Sequence, residues 1–505
     1  MSVRNDRPVG PAAIPTPSAA PSGAAPAAPA APPPVAAPAA AGPDRLEAPR
    51  SSSAARLTGD VPPPGRSLAV AFDRIDAPGG PAQARILSRN LDAWNARWEM
   101  LASAEKSIDA SYFIFEKDPF GYAFLGALLE KQLGGVEVRM MTDAMADPTG
   151  KAGFKATLRG QDYLQELVSH GGKAYVYHPV WQRPLAALRG DYAPLASNHD
   201  KILVVDDHRA VTGGRNIAID YFADPADHKA AWRDMDVALE GAQTAAGLKA
   251  AFDAELVDDD FVDEIGRDLF GNWDKKDIQL LGACELMDLW LHDPALDEAQ
   301  KAALRADPAG LKPLADSLVQ RALDRVASQL PTKLKRAPSD KDRAFLAEQA
   351  GLLVKQLEAR GSAARFQAER LPERATEAKI IDQTSAAGTR VNGIAPALKS
   401  LVDSATRRIV IENPYVVLTE DMMVGLERAA ARGVQIDIIT NSPLSTDSDV
   451  TQAFFLEDWP YILARCSTAR IFVATGERKF HAKSAVSTAS RAWSRPTTST
   501  CSRVT

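Results

Sequence analysis

Apolar and polar positions along this chain change period in an order that occurs twice. Lys106 to Phe115 alternates like a strand, Phe124 to Leu133 has helical spacing, and Val136 to Asp143 alternates again. Tyr163 to His170 then reads as a helix and Lys173 to Tyr177 as a strand. The same succession returns with Arg408 to Glu412, Val424 to Ala431, Val434 to Thr440, Tyr461 to Ala464 and Arg470 to Val473. Gly135 and Gly433 stand at the same helix-to-strand corner, where glycine relieves a left-handed cap. The pattern predicts an α/β fold: two similar lobes with mixed sheets flanked by helices.

Between the repeats the period is helical throughout. Leu314, Leu318, Ala322, Val326 and Leu330 recur every fourth residue, and Leu346, Ala350, Leu353 and Leu357 follow a helical spacing. One reading is a helical insertion packed on a lobe. The other is a membrane-surface element helped by Leu286-Met287-Asp288-Leu289-Trp290-Leu291, although the flanking Asp residues argue against an anionic surface. Residues 8 to about 44 are almost wholly Ala and Pro, which cannot bury enough apolar surface to order itself. The expected segments are an Ala/Pro-rich disordered arm or tether (1–66), a first lobe (67–265), the helical insertion (266–377), a second lobe (378–486) and an aberrant tail (487–505).

Composition narrows the function. A chain of 505 residues with 45% hydrophobic and 25% charged residues is ordinary for a globular protein. Its net charge of −6 provides no long-range attraction for nucleic acid, and no specific nucleic-acid partner is expected. Three cysteines without a C-x-x-C pair indicate neither a structural zinc site nor a disulfide framework, so a reducing compartment is expected; separately, no metal or cofactor is expected. No apolar run approaches the roughly 20 residues of a membrane span, and Met1 to Gly10 lacks the apolar core of a secretory signal. The expectation is a cytoplasmic protein, peripheral at the inner membrane if it touches one.

The chemistry-bearing stretch is Asn198-His199-Asp200-Lys201-Ile202-Leu203-Val204-Val205-Asp206, with Asn216 ten residues beyond Asp206 in Thr212-Gly213-Gly214-Arg215-Asn216. Strand alternation sends His199 and Lys201 out of one face together. A nucleophile and a cation so placed suit a phosphate. A second copy starts at Phe480-His481-Ala482-Lys483-Ser484. His170, His178, His208, His228 and His292 lack this context and read as structural or surface residues.

This constellation resembles the phospholipase D superfamily over about 85–265 and 378–486, and among its members the bacterial cardiolipin synthase group most. The resemblance implies two lobes meeting at a pseudo-two-fold axis, with both histidines facing one phosphorus. His199 would attack to give a phosphohistidine, and His481 would protonate the leaving alcohol and then activate water or a second alcohol. Lys201, Lys483 and Asn216 would hold the phosphoryl oxygens, and Asp206 would keep a histidine in its tautomer and orientation. Asp234, in Trp232-Arg233-Asp234-Met235-Asp236, either orients a catalytic group or is simply a polar strand-end residue. Gly214 stands where the family commonly has Ser, a change from which little effect is expected.

The second motif departs from the pattern. Asp206 lies seven residues after His199, but the residue seven after His481 is Thr488, and no asparagine follows. The tail Ser487 to Thr505 is dominated by Ser, Thr and Arg, without strand alternation, and is expected to make no strand beside the His481 segment. Plausible GC-rich codons for it, read two bases later, give DGVARLVATYNLDLLSRY. That string puts an aspartate at the place of Thr488 and an asparagine ten residues on, so we read the tail as out of frame. The resulting reading is a phosphatidyltransferase or phosphodiesterase acting on phospholipids, impaired in this chain. A nuclease on the same scaffold and a catalytically inactive phospholipid-binding or scaffold protein stand as alternatives.

Overall fold

The computed structural model describes residues 68–144, 163–177, 197–257, 262–267, 275–333, 336–385, 393–488 and 499–502. The Ala/Pro-rich arm, His178 and most of the tail lie outside these residues.

In the first lobe, β1 (Gly79–Leu87), β2 (Ser107–Tyr112), β3 (Glu137–Asp143), β4 (Lys173–Tyr177), β5 (Lys201–Val205), β6 (Arg209–Gly213), β7 (Asp236–Glu240) and β8 (Val262–Glu264) join β9 (Arg374–Lys379) in one sheet. Its order is β8-β4-β3-β2-β5-β6-β7-β1-β9. The second sheet, of order β12-β11-β10-β13-β14, contains β10 (Arg408–Glu412), β11 (Gln435–Thr440), β12 (Ala469–Val473), β13 (Ser484–Thr488) and β14 (Ser499–Ser502). It repeats the run β4-β3-β2-β5-β6. In both lobes three parallel strands are followed by an antiparallel motif strand, β5 on β2 and β13 on β10.

Local chemistry explains the repeat. Parallel neighbours need a crossover, and the helices Pro119–Leu133 and Glu420–Ala431 supply it between β2 and β3 and between β10 and β11. Asp118 caps the first helix by accepting from the N–H groups of Phe120 and Gly121, while Pro119 pre-sets its first turn. Gly135 and Gly433 turn the chain out of these helices at φ of 93° and 81°, where a side chain would be strained.

Two expectations change. The helical segment shares the first lobe's core: Leu286, Trp290, Leu318, Leu346 and Leu353 are buried in one cluster with Trp94, Phe124 and Leu128. The apolar run Leu286 to Leu291 therefore faces protein, which corrects its reading as a membrane-surface element. The tail, moreover, does form strand. Ser487 and Thr488 continue β13, and Ser499–Ser502 pairs antiparallel with it as an edge strand. Backbone hydrogen bonding asks no particular side chain of an edge strand, and β-branched Thr is tolerated there.

Candidate active site

The segment before β7 in the first lobe and the segment before β13 in the second are tied together by one short parallel bridge, Arg233 against Phe480. The Arg233 N–H donates to the Lys479 carbonyl at 2.8 Å, and the His481 N–H donates to the Arg233 carbonyl at 2.7 Å. This crossing places Asp234 of the first lobe beside His481 of the second, with Nδ1 and Oδ2 2.8 Å apart. Both groups are buried.

Lys483 lies against the same imidazole, its Nζ 2.9 Å from Nε2, 3.2 Å from Nδ1 and 3.0 Å from the His481 carbonyl. An ammonium can only donate. A carboxylate only accepts, so a neutral ring beside Asp234 gives it Nδ1–H, which leaves Nε2 as the ring's acceptor for the lysine. Trp232, Tyr221 and Tyr415 surround the ring at centroid distances of 5.0, 5.9 and 6.1 Å. Sequence spacing did not single out Tyr221 or Tyr415, because nothing local shows that they converge.

Electrostatics follow from this enclosure. Burial pushes the His481 imidazole below its ordinary pKa, the Lys483 and Lys201 charges push the same way, and Asp234 opposes them. Burial would raise Asp234, but its hydrogen bond to His481 and the charges of His481, Lys483 and Arg215 win, holding it at about 2. A carboxylate beside a neutral, oriented imidazole is the state this geometry favours.

On the first-lobe side His199 is exposed and stacks on Phe113 at 3.9 Å. Lys201 is buried, its Nζ donating to the His199 carbonyl at 2.7 Å and lying 5.5 Å from the Phe113 ring centre. Asn216 donates to the Tyr221 hydroxyl at 2.9 Å and accepts from the Ile114 N–H at 3.0 Å. It therefore stands one residue behind His481, whose ring Tyr221 faces edge-on.

Asp206 is not in this cluster, which corrects its expected role. It follows β5 at the end remote from Lys201, about 3.3 Å of strand rise per residue away. Its carboxylate accepts from the N–H groups of Glu105, Lys106 and Ser107 at 3.1, 2.7 and 3.1 Å. Burial would raise its pKa, but these donors and Arg209 keep it below the usual carboxylate range. Asp206 thus pins the start of β2, and the histidine-orienting carboxylate is Asp234.

Gly214 is a second correction. A Cβ there would meet Asp234 Oδ1 at 2.1 Å and its carboxyl carbon at 2.6 Å. The absent side chain is what lets Asp234 reach His481. Beneath both, Arg215 is fully buried and donates to the carbonyls of Leu87, Ser88 and Asp234 and to Asp236, fixing the turn.

Glu166, His170 and Asp277 also bring possible metal-ligand atoms within 4.8 Å of one another. Asp277 is paired there with Arg336 at 2.7 Å, which already supplies the cation.

Residues 98–255 match the family model described as "Cardiolipin synthase, PLD-like domain". The chain is 29% identical to the major cardiolipin synthase ClsA of Bacillus subtilis strain 168 over 157 residues, 31% of this chain and 29% of that protein. It is 31% identical to cardiolipin synthase C of Escherichia coli strain K12 over 160 residues, 31% of each. The matches thus span about three-tenths of these relatives' lengths. Among solved structures, the phosphatidylserine synthase of Haemophilus influenzae Rd KW20 aligns over 83% of this chain and 80% of that chain, at 13% identity and a TM-score of 0.47. Residues 98–255, within the first lobe, are thus similar to the phospholipase D-like domain of cardiolipin synthases.

Proposed function

We propose that the protein transfers or hydrolyses phosphatidyl groups through a phosphohistidine formed between the two lobes. The observation that carries this reading is the Asp234–His481–Lys483 cluster within the field of Lys201. A phosphodiester is already anionic, so attack on it needs cations at the phosphoryl oxygens, a neutral nucleophile and an acid for the leaving alcohol. Lys201 and Lys483 would take the oxygens. As Lys483 turns to the phosphate, the Nε2 lone pair of His481 is released toward phosphorus.

This assigns attack to His481 rather than to His199, reversing the roles expected from the motif order. Asp234 holds the tautomer that attack requires and steadies the imidazole as it gains positive character. His199, exposed and stacked on Phe113, would give its proton to the departing oxygen and then withdraw one from water or an acceptor alcohol. Substrate would be met by peripheral contact with a membrane surface; no helix among the described residues is long and apolar enough to cross a membrane.

The test is acid-quench trapping with a phospholipid labelled in its phosphate. Label should vanish from His481→Ala, whereas His199→Ala, lacking first the acid and then the base, should take label slowly and, once labelled, hold it longer than the unaltered chain. Label retained by His481→Ala and lost from His199→Ala would restore the opposite roles. No label on the unaltered chain, with vesicle binding intact, would favour a phospholipid-binding protein without turnover.

A further inference from the structure

Behind the catalytic crossing lies a cavity of about 500 Å³ lined by all three parts of the folded chain. Ser88 to Asp92, Asp224 and Arg233 come from the first lobe, Glu358 and Arg365 from the helical segment, and Arg478 from the second lobe. Strand alternation puts Arg233 on the side opposite Trp232 and Asp234, so this cavity and the His481 centre lie on different faces of one segment.

Most charges around it are satisfied. Arg89 is paired with Asp92 at 2.7 Å and Glu369 at 3.0 Å. Glu358 is held by Lys301 at 2.7 Å and Arg305 at 3.0 Å. Arg233 and Arg478 differ. Arg478 donates to the carbonyls of Ala231 and Trp232 at 3.0 and 3.4 Å, and Arg233 lies over the Phe480 ring at 5.8 Å. Neither has a carboxylate within ion-pair distance among the described residues. Partial burial and the charges of Arg233 and Arg215 lower the Arg478 pKa, with Asp224 opposing them. The helix Asn90–Ala102 also begins at this cavity without a side-chain cap, presenting its first N–H groups and the positive end of its dipole.

We propose that this cavity is a second phosphate-binding site, distinct from the His481 centre, which takes a phosphoester and latches the second lobe to the first through Arg233 and Arg478. Two guanidiniums from different lobes, both exposed, line the one cavity, and each could take an oxygen of the same phosphate. Their shared anion would draw together the segments whose backbones already join as Arg233–Lys479 and His481–Arg233. Asp234 and His481 ride on those same segments. The ligand is the phosphate of an anionic phospholipid headgroup or free phosphate.

The test uses the full chain carrying Lys201→Met and Lys483→Met, so the result does not depend on the catalytic reading. Titration with inorganic phosphate, followed by calorimetry, should show one site. Adding Arg233→Gln and Arg478→Gln should weaken it about tenfold or more, while Arg233→Lys with Arg478→Lys retains part of the affinity. An unchanged melting temperature in phosphate-free buffer establishes that the Gln variant is folded, and the Lys variant carries the comparison if it is not. Dihexanoyl phosphatidylglycerol below its micelle concentration separates the sources. Binding tighter than phosphate and lost with the arginines identifies a lipid headgroup, and binding no tighter identifies free phosphate. Phosphate affinity that is absent, or indifferent to both arginine pairs, overturns the proposal.

Discussion

β4 and β12 occupy the same place in their sheets, yet one is buried and the other bare. Their registers align Tyr175 with Phe472 and Val176 with Val473, through Thr142 in β3 and Thr440 in β11. Tyr175 and Val176 are 8% and 3% exposed, whereas Phe472 and Val473 are each 47% exposed. The first lobe covers its strand with Phe252, from the helix Ala242–Glu255, and pairs its outer edge with β8. Among the described residues the second lobe has no counterpart of either. Local strand code is thus enough to build the sheet, while its cover comes from chain beyond the motif, as the helix Ala242–Glu255 does in the first lobe.

The comparison breaks most visibly under equivalent truncations. Tyr175→Ala should cost about 3 kcal/mol in urea unfolding, since it empties a packed cluster. Phe472→Ala should change stability by no more than about 0.5 kcal/mol. Equal costs would mean that β12 is covered after all.

The next effect concerns the crossing between lobes. Gly214→Ala should drive Asp234 off His481 and lower phosphatidyl transfer about a hundredfold, within the range of general acid–base contributions. The His481 Nδ1 resonance should lose its strong hydrogen-bond shift in the same variant. A normal shift would show that Asp234 finds another route to the ring.

Acid should then distinguish the buried pair from the exposed surface. Asp234 is held at about 2 in the folded chain, against about 3.9 when unfolded. Its folded pKa is depressed, so its stabilisation is complete above the unfolded value and is lost as pH falls toward 2. Asp234→Asn should remove about 2 kcal/mol of that pH-dependent stability, read from unfolding midpoints between pH 5 and pH 2. Identical pH dependence in both proteins would deny the carboxylate its charge.

Much of this was legible in the sequence, because strand and helix periods, glycine corners and motif spacing are local. His199 with Lys201 and His481 with Lys483 could be placed at the heads of their strands that way. Partners across the lobes could not. Nothing in the spacing of Asp206 reveals that its carboxylate turns back to Glu105, Lys106 and Ser107, or that Asp234 instead meets a histidine 247 residues away. Gly214 looked like a lost hydroxyl, when its meaning is the space it leaves for Asp234. The helices between the lobes showed an apolar face, but periodicity does not name the surface that covers it.

The smallest effect sharpens the lobe comparison at its finest point. Where Asp206 takes three backbone N–H groups, the second lobe uses the Thr488 carbonyl, which accepts from Thr406 and Arg407 at 3.3 and 3.1 Å. The Thr488 hydroxyl turns instead to the Arg408 carbonyl at 3.2 Å. A carboxylate at this position could take the same donors with charge-assisted bonds and free the backbone carbonyl for water. Thr488→Asp should therefore stabilise the chain by about 1 kcal/mol, the scale of a side-chain cap on orphan N–H groups. Hydrogen exchange should slow at Thr406 and Arg407, and Asp206→Thr should speed it at Glu105 and Lys106. Destabilisation by Thr488→Asp would show that the second lobe has settled on the carbonyl and cannot adopt the first lobe's solution by restoring one side chain.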